Sequence, residues 1–236
     1  MSNELLLIIT LAAEFSAVVL VHRIFGKTGL YLWTIVATIS ANIEVLIMVQ
    51  AFGMDMTLGN VLFASTFLVT DIISELYGKE ASMLAVKLGI ATSVIFILIS
   101  SSWLLYTPGP DDFVSGSIRD VFSNTPRMML ASISVYVIVQ FADVFLYHRW
   151  WDFTTKKYGD SKAYLWLRNN GSTLISQLLN TILFNVFAFA GTYDSKTLFS
   201  IIVSGYVIFI VTSLADTPFI YAARKWYYAI PEEERK

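Results

Sequence analysis

The chain has no cysteine. That excludes disulfides, thiolate metal sites and cysteine nucleophiles. Histidine is scarce, with only His22 and His148, and neither has a partner at metal-ligand spacing. Charge is scarce too. Asp, Glu, Lys and Arg make up 14% of the 236 residues, against about 25% in a soluble domain. Low-complexity tracts, a convincing internal repeat and a nucleotide-binding motif are all missing, so the chain cannot itself hydrolyse ATP. The amino terminus, Met1-Ser2-Asn3-Glu4, lacks the basic region of a signal peptide, and the apolar run after it continues to about Ile24, so it reads as a retained first span.

What is present is apolar: 56% of the residues, with a mean hydropathy of +0.64. These residues fall in long blocks. A bilayer core needs about 20 apolar residues per helix, and seven segments qualify: Leu5–Ile24, Tyr31–Phe52, Val61–Tyr77, Met83–Tyr106, Met128–Tyr147, Thr173–Ala190 and Leu198–Tyr221. The third and sixth are short and studded with polar residues, which predicts that both pack inside a bundle. The expected fold is therefore all-α, a polytopic membrane bundle of about seven helices (six being the alternative count), forming a single integral membrane domain over residues 1–236.

The basic residues orient it. With the amino terminus outside, thirteen Lys and Arg fall on the inner side: Arg23, Lys27, Lys79, Lys87, Arg149, Lys156, Lys157, Lys162, Arg168, Arg224, Lys225, Arg235 and Lys236. Only Arg119, Arg127 and Lys196 fall outside. This asymmetry predicts an outer amino terminus and a cytoplasmic carboxyl terminus.

Against this background Asp71 and Glu75 stand out. They are four residues apart in an apolar segment and so share a helix face. Ionisable side chains at bilayer depth cost roughly 2.5–3.5 kcal/mol each on insertion scales. They normally face a bundle interior or a water-filled path. The pair is a candidate binding site or, alternatively, an ion-pair station with Lys87 or Arg168; Glu75, nearer the inner end, is alternatively an interfacial anchor. Glu14 and Glu44 are further acids within apolar segments, with no assigned role. Asp216, two residues before Pro218, marks a helix distortion.

Three blocks resemble the queuosine precursor transporter family, a branch of the vitamin-uptake-type membrane proteins. Phe63-Ala64-Ser65-Thr66-Phe67-Leu68-Val69-Thr70-Asp71-Ile72-Ile73-Ser74-Glu75-Leu76-Tyr77-Gly78-Lys79 is similar to the family's F-x-x-T-F-L-x-T-D-x-x-x-E-x-Y-G-K segment. Gln140-Phe141-Ala142-Asp143-Val144-Phe145 is similar to its Q-x-x-D-x-x-x-F region. Arg168-Asn169-Asn170-Gly171-Ser172-Thr173, continuing through Gln177 to Asn180-Thr181, is similar to R-N-x-x-S-T-x-x-x-Q-x-x-D-T. Asn42 matches an asparagine in the family's second span. The chain departs from the pattern at Ala64, at Asn180 where an aspartate is usual, at Ser82 and Met83, and at Glu44.

The resemblance implies a transporter in a prokaryotic plasma or inner membrane that imports a 7-deazaguanine, such as preQ0, preQ1 or queuine, for tRNA modification. It implies no enzyme activity, cofactor or metal. The partners are a small-molecule base and the lipid bilayer, not nucleic acid, with homo-oligomerisation left open. An alternative is a substrate-capture subunit with an energy-coupling partner, for which Ala13 and Ala17 could form a docking face. A remoter one is an intramembrane hydrolase with Asp71 and Asp216 as a dyad.

The implied substrate-binding residues are Asp71, Glu75, Asn42, Phe67, Gln140, Asp143, Arg168, Gln177 and Asn180. A carboxylate can accept both hydrogen bonds of a guanine-like N1–H and amino edge, a role open to Asp71 or Glu75. The amides of Asn42, Gln140, Gln177 and Asn180 can donate to the opposite edge. Asp143 or the second acid suits an aminomethyl cation, and Phe67, Phe63, Phe141 or Trp166 could stack on the ring. Each polar residue has a plainer role as interhelical glue, Asp143 as a partner of Arg149 or Arg168, and Arg168 as a topology charge.

Overall fold

The computed structural model describes residues 2–123, 126–160, 162–189, 191 and 193–231, with the side chains of residues 55, 123 and 126–129 set aside. Arg235 and Lys236, and the side chain of Arg127, lie outside the described residues.

The order is α1 (Asn3–Glu44), β1 (Met48–Ala51), β2 (Met54–Thr57), α2 (Gly59–Trp103), α3 (Ser115–Ser123), α4 (Pro126–Tyr158), α5 (Leu165–Phe189) and α6 (Ser195–Ala229). Among the described residues five helices, all but α3, are long and apolar enough to cross a membrane, as expected of a polytopic helical membrane protein.

Two of these helices are folded hairpins. In α1, Gly26 has φ 59° and ψ −142°; in α2, Gly78 has φ 82° and ψ 178°. Positive φ is strained for residues with a Cβ and open to glycine, so a single residue reverses each helix. In a straight α1, Glu14 and Glu44 would be roughly 45 Å apart at 1.5 Å per residue; instead both line one small cavity with Asn3 and Thr10. In α2, Tyr136 of α4 touches both limbs: its ring lies 6.2 Å from that of Phe63, and its hydroxyl occupies the space a Cβ on Gly89 would fill.

The second limb of α1 runs antiparallel to the first limb of α2. The backbone of Val45 meets Gly59 at one end, Trp33 donates to Ser65 Oγ (2.9 Å) midway, and the Lys27 ammonium lies 5.6 Å from the Tyr77 ring at the other end. The amino terminus sits at the Val45 end, where Asn3 donates to Gln50 O and Glu4 accepts from Phe52 N. The end of α6 sits opposite, with Tyr227 against His22 and Tyr77.

The expected span Tyr31–Phe52 is corrected. Its helix stops at Glu44, and Met48–Ala51 pairs antiparallel with Met54–Thr57, so the fold is helical with one small hairpin. Phe52 (φ 53°) and Gly53 (φ 71°) form its two-residue turn; positive φ at both positions is the turn geometry that suits tight hairpins. The stretch between the expected spans Met83–Tyr106 and Met128–Tyr147 contains α3. There Asp112 accepts from Ser115 N (2.8 Å) and Val114 N, and these bonds, that to Ser115 first, hold its carboxyl below the ordinary value. Asp194 caps α6 in the same way.

As the polar-studded segments predict, the first limb of α2 is buried without interruption from Ala64 to Glu75. The buried face of α5 is largely polar: Arg168, Asn169, Ser172, Thr173, Ser176 and Gln177 are among its buried residues. The main apolar core joins Phe15, Val18 and Leu30 of α1 to Leu68, Ile72 and Ile73 of α2 and to Tyr147 and Leu165. A smaller cluster packs Phe67 against Val135 and Val139.

Candidate functional site

A cleft of about 1100 Å³ opens at the Val45 end. The hairpin, the end of α1, the starts of α2 and α6, α3 and the end of α5 surround it. Asn180, Thr181, Phe184 and Phe209 belong to its inner wall. Asn180 and Phe184, one turn apart on α5, show the same face, as their spacing predicts.

Below the cleft runs a column of buried polar side chains. Asn180 donates to Gln177 Oε1 (3.4 Å). Gln140 donates to Thr66 Oγ1 (2.9 Å), while its Oε1 has no partner. Deeper still, Thr173 donates to Asp71 Oδ2 (3.1 Å), and Asp71 Oδ1 is unpartnered. Asp143 lies beside Asp71, Thr70, Ser172 and Ser176, which act on its carboxyl, but among the described residues no donor is in hydrogen-bond geometry with either of its oxygens. Asp216 accepts from Asn169 Nδ2 (2.8 Å). All three aspartates are essentially unexposed.

Beyond this layer, towards the Gly78 end, the chemistry changes. Arg168 grips Glu75 in a fork, with Nε to Oε2 at 2.9 Å and Nη2 to Oε1 at 2.8 Å. Tyr147 donates to Glu75 Oε2 (2.8 Å), and Arg224 Nη1 stands 3.4 Å from Oε1. The guanidinium of Arg168 also donates to Ala163 O (2.6 Å) and stacks 4.3 Å from the Trp151 ring centroid. Here all three guanidinium nitrogens of Arg168 have an acceptor and both oxygens of Glu75 have a donor, which is what a buried ion pair needs to offset its desolvation. Of the roles weighed for Glu75 and Arg168, the geometry is that of an ion-pair station, and it lies between the aspartates and the Gly78 end.

Of the nine residues singled out from sequence, Asp71, Gln140, Asp143, Gln177 and Asn180 line the column, and Glu75 with Arg168 closes its far end. Phe67 is buried beside Gln140's helix, 5.3 Å from the Phe63 ring. Asn42 donates to Thr38 O (2.8 Å) within its own helix. Trp166, an aromatic candidate, is 53% exposed. Sequence reasoning passed over Tyr147, Asn169, Asn170 and the depth of Asp216. Asn170 donates to Thr217 Oγ1 (2.8 Å) and accepts from Ser213 Oγ (3.2 Å), extending a polar seam between α5 and α6. The signal was present as polar residues at positions 169, 172, 173, 176 and 180, the spacing of one helical face.

Comparison with known proteins agrees with a transport role. Residues 57–223 match the family described as "Putative vitamin uptake transporter". The chain is 36% identical over 222 residues to the "Probable queuosine precursor transporter" of Bacillus subtilis (strain 168), covering 94% of this chain and 93% of that one. No solved structure matches.

Proposed function

The chain belongs to the vitamin uptake transporter family, and from that premise we propose that it carries a queuosine precursor, a 7-deazaguanine base, across the cell membrane by alternating access. The observation that carries this reading is the polar column beneath the cleft, with buried amides above and an acceptor-only carboxylate below. We assign the cleft end to the outside and the Gly26 and Gly78 reversals to the cytoplasm, with seven crossings counted as two limbs each from α1 and α2 plus α4, α5 and α6. The sorting of basic residues supports this orientation.

In this reading the base descends from the cleft past Asn180. That residue stands seven positions, roughly 10 Å of helix rise, above Thr173. The amides of Asn180, Gln177 and Gln140 face the oxygen-bearing edge, and the free Oδ1 of Asp71 accepts from the N1–H and amino edge. Phe67 and Phe184 offer apolar contact to the ring. The Glu75–Arg168 pair, backed by Tyr147 and Arg224, closes the inner side while the outer cleft is open.

The test is recovery of queuosine in tRNA in a host that lacks its own synthesis, its own transporter and any energy-coupling module, supplied with preQ1 or queuine. Modified tRNA supports a solitary transporter. Unmodified tRNA despite normal membrane insertion rejects it.

A further inference from the structure

One face of α5 touches acids from three other helices. Asn169 bonds Asp216 of α6, Ser172 and Ser176 flank Asp143 of α4, and Thr173 bonds Asp71 of α2. Positions 169, 172, 173 and 176 are successive members of a single helical stripe, so the three carboxylates are gathered into one layer. Asp143 and Asp71 act electrostatically on one another, and Asp216 on both.

The layer is short of positive charge. Among the described residues, the ion pairs of Arg168 and Arg224 are both with Glu75. The other ionisable groups facing the layer are Glu75 on α2 and Tyr147 on α4, while α1 meets the same part of the core with Phe15, Val18 and Leu30. The layer also leaves hydrogen-bonding capacity unused among the described residues. Both oxygens of Asp143, Oδ1 of Asp71 and of Asn169, and the hydroxyl of Ser176 are buried without partners, and all four residues are wholly unexposed. Three close carboxylates cannot all stay ionised in a bundle interior without a countercharge. A set of unpartnered oxygens presents what a small cation requires.

We propose that Asp71, Asp143 and Asp216 form a cation-coupling site that takes up one monovalent cation, H⁺ or Na⁺, from the cleft side and releases it on the cytoplasmic side together with the transported base. In the transport reading the base takes Oδ1 of Asp71, so the cation is held by the two unpartnered oxygens of Asp143 with Asn169 Oδ1 and Asp216, and the charge of Asp71 beside them links the two cargoes. Asp216 contacts only the cation, through a side chain already held by Asn169. This inference rests on the transport reading above.

The experiment uses the purified full chain in proteoliposomes with labelled preQ1, at clamped membrane potential. Exchange at equal concentrations on both sides tests the transport reading alone. Accumulation is then measured under an inward gradient of one pH unit, or separately under a tenfold Na⁺ gradient. Coupling to one cation gives about tenfold accumulation under whichever gradient drives it, and this distinguishes the two ions. Asp216→Asn, nearly isosteric, is expected to keep exchange and lose the accumulation. Exchange by the wild type with no accumulation under either gradient overturns the coupling site. So does an Asp216→Asn protein that still accumulates, or one that inserts and folds yet loses exchange. A substrate-free readout covers a protein that exchanges no preQ1. Infrared difference spectra on acidification, or on adding Na⁺, are expected to show a carboxyl band change in the wild type that is diminished in Asp216→Asn, and identical spectra reject the site.

Discussion

Two adjacent layers of the same bundle treat buried acid in opposite ways. At Glu75 a carboxylate meets two guanidinium groups and a phenol, and its oxygens are fully used. One helical turn away, Asp71 sits with Asp143 and Asp216, and three of the six oxygens have no partner. The carboxylates of both layers are buried, Glu75 at 6% exposure and the aspartates at 0–1%, so burial of the acid alone does not tell them apart. A charge that has been neutralised locally holds helices together, whereas an acid left without a partner is costly inside a bundle and retains capacity to bind. The first arrangement suits a closure and the second a site.

The contrast breaks most plainly at Asp71. Asp71→Asn is expected to abolish precursor uptake while membrane insertion, followed by immunoblot of the membrane fraction, stays normal; near-normal uptake would show the layer to be structural. The partnered layer is expected to respond in stability. Arg168→Met leaves the buried Glu75 with only Tyr147 and the partly exposed Arg224 and should cost up to about 3–5 kcal/mol, seen as a lowered Tm in detergent, with Glu75→Gln added in the same chain restoring most of the loss. If the single variant melts like the wild type, the pair is not holding the helices. Asp143→Asn sharpens the comparison from the other side: it removes an acid that has no partner, so Tm should be unchanged or raised, and a fall comparable to that of Arg168→Met would erase the distinction between the layers.

The smallest effect is expected at the surface. Asp194 accepts from Thr197 Oγ1 (2.5 Å) and from the Thr197 and Lys196 amides, which hold its carboxyl below the ordinary 3.8. The cap's contribution is therefore present above that value and lost as pH falls through the lower, folded-state value. Asp194→Ala should lower Tm slightly near neutrality, and the gap between the two melting curves should close in strong acid.

Much of this was legible in the sequence. Asp71 and Glu75 announce themselves as carboxylates four apart in an apolar run. The packing of the short polar segments inside the bundle follows from their composition. Two things were not legible, for different reasons. The hairpin after Glu44 hid inside a continuous apolar stretch, because Leu46–Val49 is as apolar as a helix would be and only Gly53 signals the turn. Asp216 hid behind Pro218, whose presence explains a polar residue by helix distortion and so removes the reason to look for a partner. Its bond to Asn169 crosses 47 positions, and periodicity within one helix carries no information about such pairings. Arg168 could be read as a loop charge or as a partner of Glu75, and choosing between them required knowing that α5 begins at Leu165 and places the guanidinium inside.

The reversals at Gly26 and Gly78 have a mechanical consequence. A turn made by one residue leaves no slack between the limbs it joins, so each hairpin behaves like tongs hinged at the arginine-rich end and free at the cleft. The tips at Val45 and Gly59 pack directly on one another and are joined by a short β-ribbon that Asn3 and Glu4 also hold. Widening of the mouth between these tips therefore has to part that contact, while opening at the hinge end needs whole helices to tilt.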